Sequence, residues 1–113
     1  MNPRDIRSLD IGMLRTFDAL MREGSVSRAA ARLFLSQPAV SASLNRLREA
    51  FDDPLFTRTA HGVTPTPRAH ALAPQVGKVL ADIAALLEAD QPFNPATSGR
   101  IFRIGDVAEV YRG

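Results

Sequence analysis

The side chains with chemistry to offer cluster on one short segment. With Val40 as the buried reference at roughly 100° per residue, the opposite face of that segment is centred on Pro38, Ala42 and Asn45 and flanked by Ser41 and Arg46. Gln37 stands at its N-terminal tip, where an amide can bond an adenine edge in two places at once. Ser25, Ser27 and Ser36 mark the starts of two short helices, whose free N–H groups and positive dipole ends attract anions without any lysine, and Arg28 adds a charge beside one of them. Hydrogen bonds to base edges and hydroxyls for phosphate together describe a surface that reads double-stranded DNA. Spacing alone leaves second roles open. Each serine is equally a helix cap, Gln37, Asn45 and Arg46 equally a solvated face, and Arg58 equally a strand-edge arginine.

Other chemistry is not supported. Cysteine is absent, so there is no thiolate for catalysis or metal binding and no need of an oxidising compartment. His61 and His70 have no cysteine or carboxylate cluster at ligand spacing, so no metal is expected. No glycine-rich phosphate loop, nucleophile elbow or paired carboxylates occur, and the sequence is read as a non-enzyme with no cofactor.

The elements that must position the polar face follow from caps and periodicity. Asp10 caps a helix running to about Glu23, with Leu14, Phe17, Leu20 and Met21 on one face and Gly24 as its stop. Ser25 caps a second, whose stripe of Val26, Ala29, Ala30 and Leu33 is small enough to let another helix approach closely. Phe34 and Leu35 make a turn. Ser36 then caps a third helix striped by Val40, Leu44, Leu47 and Phe51, with Pro38 tolerated in its first turn. Asp52, Asp53 and Pro54 end it. Two short strands, Leu55 to Arg58 and Val63 to Pro65, joined through Gly62, read as a wing. Thr66 caps a long helix with Pro67 at its first position, and Leu72, Val76, Val79, Leu80, Ile83, Leu86 and Leu87 repeat along it at close to 3.5 residues. With no core evidently left to cover, that stripe is assigned to a partner helix, the other reading being that it packs on its own domain. Pro74 either kinks this helix or marks a main body that begins near Ala73. From Asp90 to Gly99 the composition is that of a linker, and Arg100 to Gly105 alternates like a strand.

A length of 113 residues and an apolar fraction of 45% suit one small domain with an appendage. The net charge is +2, but residues 28 to 68 carry +3, with Arg28, Arg32, Arg46, Arg48, Arg58 and Arg68 against Glu49, Asp52 and Asp53. Positive charge is concentrated where the polar face lies. No run approaches the ~20 apolar residues of a membrane span, and MNPRDIRSLD lacks the apolar core of a signal peptide, so a cytoplasmic chain with no membrane partner is expected.

The run GSVSRAAARLFLSQPAVSASLNRLREAF, followed by DPLFTRT and TPTPRAHAL, resembles the N-terminal domain of LysR-type transcriptional regulators over about 80 of the 113 residues. That resemblance implies a winged helix-turn-helix, a linker helix pairing antiparallel in a dimer, and a separate inducer-binding domain whose first strand RIFRIGD resembles. A small-molecule inducer therefore belongs to a full-length parent. The resemblance places the helix-turn-helix at Val26 to Asn45, with Gln37, Pro38, Ser41 and Ala42 facing bases or backbone, Ser27 and Arg28 near phosphate, and Arg58 in the wing. Ala42 stands where many members have arginine, and it offers only an apolar contact such as a thymine methyl. The stretch PTPRAHALAP is similar to the subgroup regulating aromatic-compound degradation and nodulation.

The expected architecture is mainly α: a winged helix-turn-helix domain over 8–65 (three helices plus a two-stranded wing), a dimerisation helix over 66–90, a hinge over 91–99 and the first strand of an effector-binding domain over 100–113. The expected function is sequence-specific DNA binding as a homodimer, with the recognition helix in the major groove and the wing on the flanking minor groove or backbone. The alternative is a protein-interaction module that pairs with full-length regulators without stable DNA binding of its own.

Overall fold

The computed structural model describes residues 5–89. In chain order these form α1 (Ile11–Glu23), α2 (Val26–Leu33), α3 (Gln37–Phe51), the antiparallel strands β1 (Phe56–Thr59) and β2 (Gly62–Pro65), and α4 (Pro67–Ala89). The expected winged helix-turn-helix is present. The hinge and strand expected after residue 90 lie outside the described residues.

Local chemistry sets each boundary. The carboxylate of Asp10 accepts from Met13 N at 2.8 Å to start α1, and Gly24 closes it in the left-handed region at φ 65°. Ser25 and Ser36 cap α2 and α3 by accepting from Arg28 N and Ala39 N, each at 3.2 Å. Phe34 ends α2 at φ 57°, a conformation that disfavours side chains, and its N–H returns to the carbonyls of Ala30 and Ala31. A turn of 3-10 helix at Ile6–Ser8, capped by Asp5, precedes these elements and was not expected from the sequence.

The three helices bury one apolar cluster: Met13, Phe17 and Leu20 from α1, Ala29 and Ala30 from α2, and Val40, Leu44 and Leu47 from α3. The two alanines are at most 3% exposed, which fits the close helix approach their size allows. The wing joins the same core. Phe56 packs edge-on to Phe17 with ring centroids 5.5 Å apart, and Leu55 is fully buried at φ 64°.

By internal contacts the chain divides into two units, Met1–Ile83 and Ala84–Gly113, and α4 supplies the end of the first and the described start of the second. Thr66 Oγ1 accepts from Ala69 N at 3.2 Å, Pro67 occupies the first turn, and Pro74 lies inside one continuous helix. The helix thus begins at Pro67 and not near Ala73. Its first half does have core to cover, contrary to the premise that assigned the whole stripe to a partner: Val76 is buried, and Leu72 and Leu80 pack partly buried against the cluster. Val79 is 43% exposed, Leu86 67% and Leu87 65%, while Ile83 is half-buried.

The wing depends on one close backbone approach. Val63 N donates to Gly24 O at 3.0 Å, and Gly62 sits at φ 134°, where a Cβ would fall 2.2 Å from that same carbonyl. Gly62→Ala should therefore lower stability by at least ~2 kcal/mol, seen as a fall in Tm of ~10 °C, whereas Gly24→Ala, whose Cβ would lie at an ordinary 3.9 Å from Val63 O and carry only the cost of its left-handed backbone, should cost ~1 kcal/mol. Equal melting of the two variants would contradict this account of the wing.

Candidate nucleic-acid interface

On α3, Gln37, Pro38, Ala42 and Asn45 are exposed and Ser41 is half-buried, while Val40, Ser43, Leu44 and Leu47 face inward. Ser41 and Asn45 line a cleft with Val26, Arg48, Arg58 and Val63, so these two recognition-helix candidates share one surface with the wing arginine. Arg46 takes the other flank. Its guanidinium pairs with Asp10 at 3.3 Å and lines a separate hollow with Glu49 and Ala50. The structure does not bring Arg46 together with Ser41 and Asn45.

Ser25 and Ser36 act as caps, whereas Ser27 meets the hydroxyl of Ser25. Ser25 Oγ and Ser27 Oγ lie 3.0 Å apart at the start of α2. Arg28 is exposed but engaged: one guanidinium nitrogen donates to Glu23 O at 2.9 Å, and Glu23 Oε1 lies 3.8 Å from its Nε. Arg32 pairs with the other oxygen of the same carboxylate at 2.9 Å. One acid thus holds two arginines beside the α2 N-terminus. Such exposed pairs are weak and exchangeable, so both cations remain available to a phosphate.

Sequence reading overlooked Arg48. Its Nε donates to Pro54 O and its Nη2 to Phe56 O, both at 2.8 Å, and its Nη1 donates to Asn45 Oδ1 at 3.2 Å. A guanidinium presents donors in a fixed fork, so one side chain ties α3 to the strand entry on two bonds and orients a candidate base-reading amide with the third. The i,i+3 spacing from Asn45 was the only signal in the sequence, because the carbonyls it binds become neighbours only once the wing has folded. Asp53 makes the companion contact, with Oδ2 accepting from Leu55 N at 2.9 Å and from Thr66 Oγ1 at 2.8 Å, which ties both ends of the hairpin.

Among the described residues no group of three His, Asp or Glu side chains is placed to hold a metal ion, and no helix is long and apolar enough to cross a membrane. The model for bacterial regulatory helix-turn-helix proteins of the lysR family matches residues 11–70, which take in α1 to β2 and the entry to α4. The chain belongs to the lysR family. Within it, the chain is 48% identical over 98 residues to nodulation protein D 1 of Bradyrhizobium japonicum and 49% identical over 98 residues to nodulation protein D 1 of Rhizobium meliloti; the match takes in 87% of this chain but 30% and 32% of theirs. The chain thus spans about a third of the length of these relatives. Among solved structures, a probable transcriptional regulator from Pseudomonas aeruginosa aligns at TM-score 0.71 and 42% identity, over 82% of this chain and 31% of that one. The DNA-binding domain of BenM in a complex with catB site 1 DNA aligns at TM-score 0.68 and 27% identity, over 72% of this chain and 91% of that one.

In this lysR-family domain the caps separate from the other hydroxyls by what they hold. Ser36→Ala removes the acceptor for Ala39 N and should cost ~1 kcal/mol in urea unfolding, whereas Ser27→Ala, whose hydroxyl meets only Ser25 Oγ, should change stability by less than ~0.5 kcal/mol. A loss at Ser27 as large as that at Ser36 would show a structural role that the hydrogen bonds do not contain.

Proposed function

We propose that this chain binds double-stranded DNA sequence-specifically as a dimer, with α3 in the major groove and the wing on the flanking minor groove or backbone, and that it serves transcription regulation in the bacterial cytoplasm without enzymatic activity. The observation that carries the reading is the single surface on which the exposed face of α3, the capped N-terminus of α2 and Arg58 of the wing converge. Gln37, Ser41, Ala42 and Asn45 read base edges, and Pro38 lies against the groove at the helix tip. Ser25, Ser27, Ser36 and Arg28 hold phosphates. Arg58 reaches the flanking backbone or minor groove, and Arg46 reaches a phosphate only by leaving Asp10. The BenM DNA-binding domain, similar in fold and solved on DNA, supports this placement.

Dimerisation falls to the part of the α4 stripe that the core leaves uncovered: Val79, Leu86 and Leu87, with Ile83 at their margin. Within the first unit an apolar groove of about 540 Å³ runs between Ile11, Leu14, Phe51, Leu72, Val76, Val79 and Ile83, room for a second copy's side chains. We assign residues 8–65 to DNA binding, 66–90 to dimerisation, 91–99 to a hinge and 100–113 to the start of an effector-binding domain in a longer regulator, where a small-molecule inducer would act.

Two measurements test the reading. Gln37→Ala should lose ~1 to 3 kcal/mol on the preferred site and little on random duplex, whereas Arg28→Ala should weaken both alike and lower the salt slope by about one; equal losses on both DNAs for Gln37→Ala would remove it from the specificity set. In light scattering at micromolar concentration the chain should have the mass of two copies and Leu86→Asp that of one, and a monomeric parent would overturn the helix pairing.

A further inference from the structure

The side chain of Asn45 is held in one orientation. Its exposed amide sits one turn beyond Ser41 on α3, and the atom turned to Arg48 Nη1 at 3.2 Å is the carbonyl oxygen. No other assignment is chemically consistent, because a guanidinium has five donors and no acceptor. Arg48 is itself fixed by Pro54 O and Phe56 O, each at 2.8 Å, so it has no freedom to follow Asn45 elsewhere. The amide nitrogen, Nδ2, donates to no atom among the described residues. It is the end of Asn45 left for a ligand, in a cleft shared with Ser41 and Arg58.

We infer that Arg48 is a positioning residue that fixes Asn45 as a hydrogen-bond donor, so that Asn45 selects keto bases, guanine through O6 and N7 or thymine through O4, over amino bases in the major groove. An unrestrained asparagine favours adenine, because its oxygen accepts from N6 while its nitrogen donates to N7. With one lone pair of Oδ1 taken by Arg48 and the amide turned by that bond, the two-bond pairing with adenine is weakened, and the NH2 group, with both hydrogens left over, matches a base edge that presents acceptors. Two of its three bonds hold the wing entry against α3 and the third holds Asn45, so the base preference and the placement of Arg58 are set by one side chain. This inference rests on the proposed reading of α3 as the recognition helix.

The test uses the full chain and duplexes that differ only at the base pair whose identity matters to the parent and not to Asn45→Ala. The parent should prefer a keto base there by about tenfold, which corresponds to one good base contact. Arg48→Met, which keeps the aliphatic stem and removes every donor, should reduce the preference to within about twofold, and Arg48→Met/Asn45→Ala should lose no more than either single variant. A simple loss of stability would weaken binding to all four duplexes alike and leave the preference intact. Should Arg48→Met fail to fold by circular dichroism, Arg48→Lys, a point charge without the fork, is measured in its place and should lose the preference likewise. A parental preference for adenine or cytosine, a preference unchanged in the Arg48 variants, additive losses in the double variant, or no base pair that depends on Asn45 overturns the inference while leaving DNA binding intact. A folded parent that binds no duplex at low salt removes the proposed function and this inference together.

Discussion

The structure turns on a backbone contact between segments far apart in sequence. Gly24 O accepts from Val63 N at 3.0 Å, and the approach is possible only because Gly62 has no Cβ to strike that carbonyl. This bond docks the second wing strand on the turn between α1 and α2. The N-terminus of α2, the outer face of α3 and the wing arginine are thereby held beside one another. Without the contact the hairpin would be an isolated pair of four-residue strands, which is marginal in water. Phe56 against Phe17 supplies the apolar burial beneath it, and Arg48 and Asp53 hold the strand entry above.

The sequence made the helices legible because their boundaries are local. Asp10, Ser25, Ser36 and Thr66 cap the next turn through bonds that span three residues, and the apolar spacing after each one points to the buried face. Pro67 and Pro38 fall in first turns, where the missing N–H is not needed. What escaped the reading depends on contacts across long separations. Arg46 flanks the polar face as its helical angle predicts, but its pairing with Asp10, 36 residues earlier, has no signal in that angle. Arg48 carries no marker of its role because two of its partners are backbone carbonyls in the wing. The periodicity of α4 showed which residues share a face but not how much of that face the chain's own core would claim, and Val76 is claimed by it.

Charge on the interface is managed in the same economical way. Glu23 is shared between Arg28 in the first turn of α2 and Arg32 in its last, and both side chains remain exposed. Exposed ion pairs of this kind contribute little to stability and yield to a stronger anion. In the proposed function, affinity for a polyanion comes from displacing an internal partner and releasing counterions, and sequence choice from the few neutral side chains on α3.

The central claim, that this surface reads DNA as a symmetric pair, is tested most directly by titrating the chain into random duplex at several salt concentrations and then selecting its preferred sites from a random pool. The account predicts binding that weakens steeply with salt and a two-fold symmetric motif with half-sites separated by about one helical turn or a multiple of it. A folded chain that retains no duplex at low salt, or that selects an asymmetric single site, would contradict it.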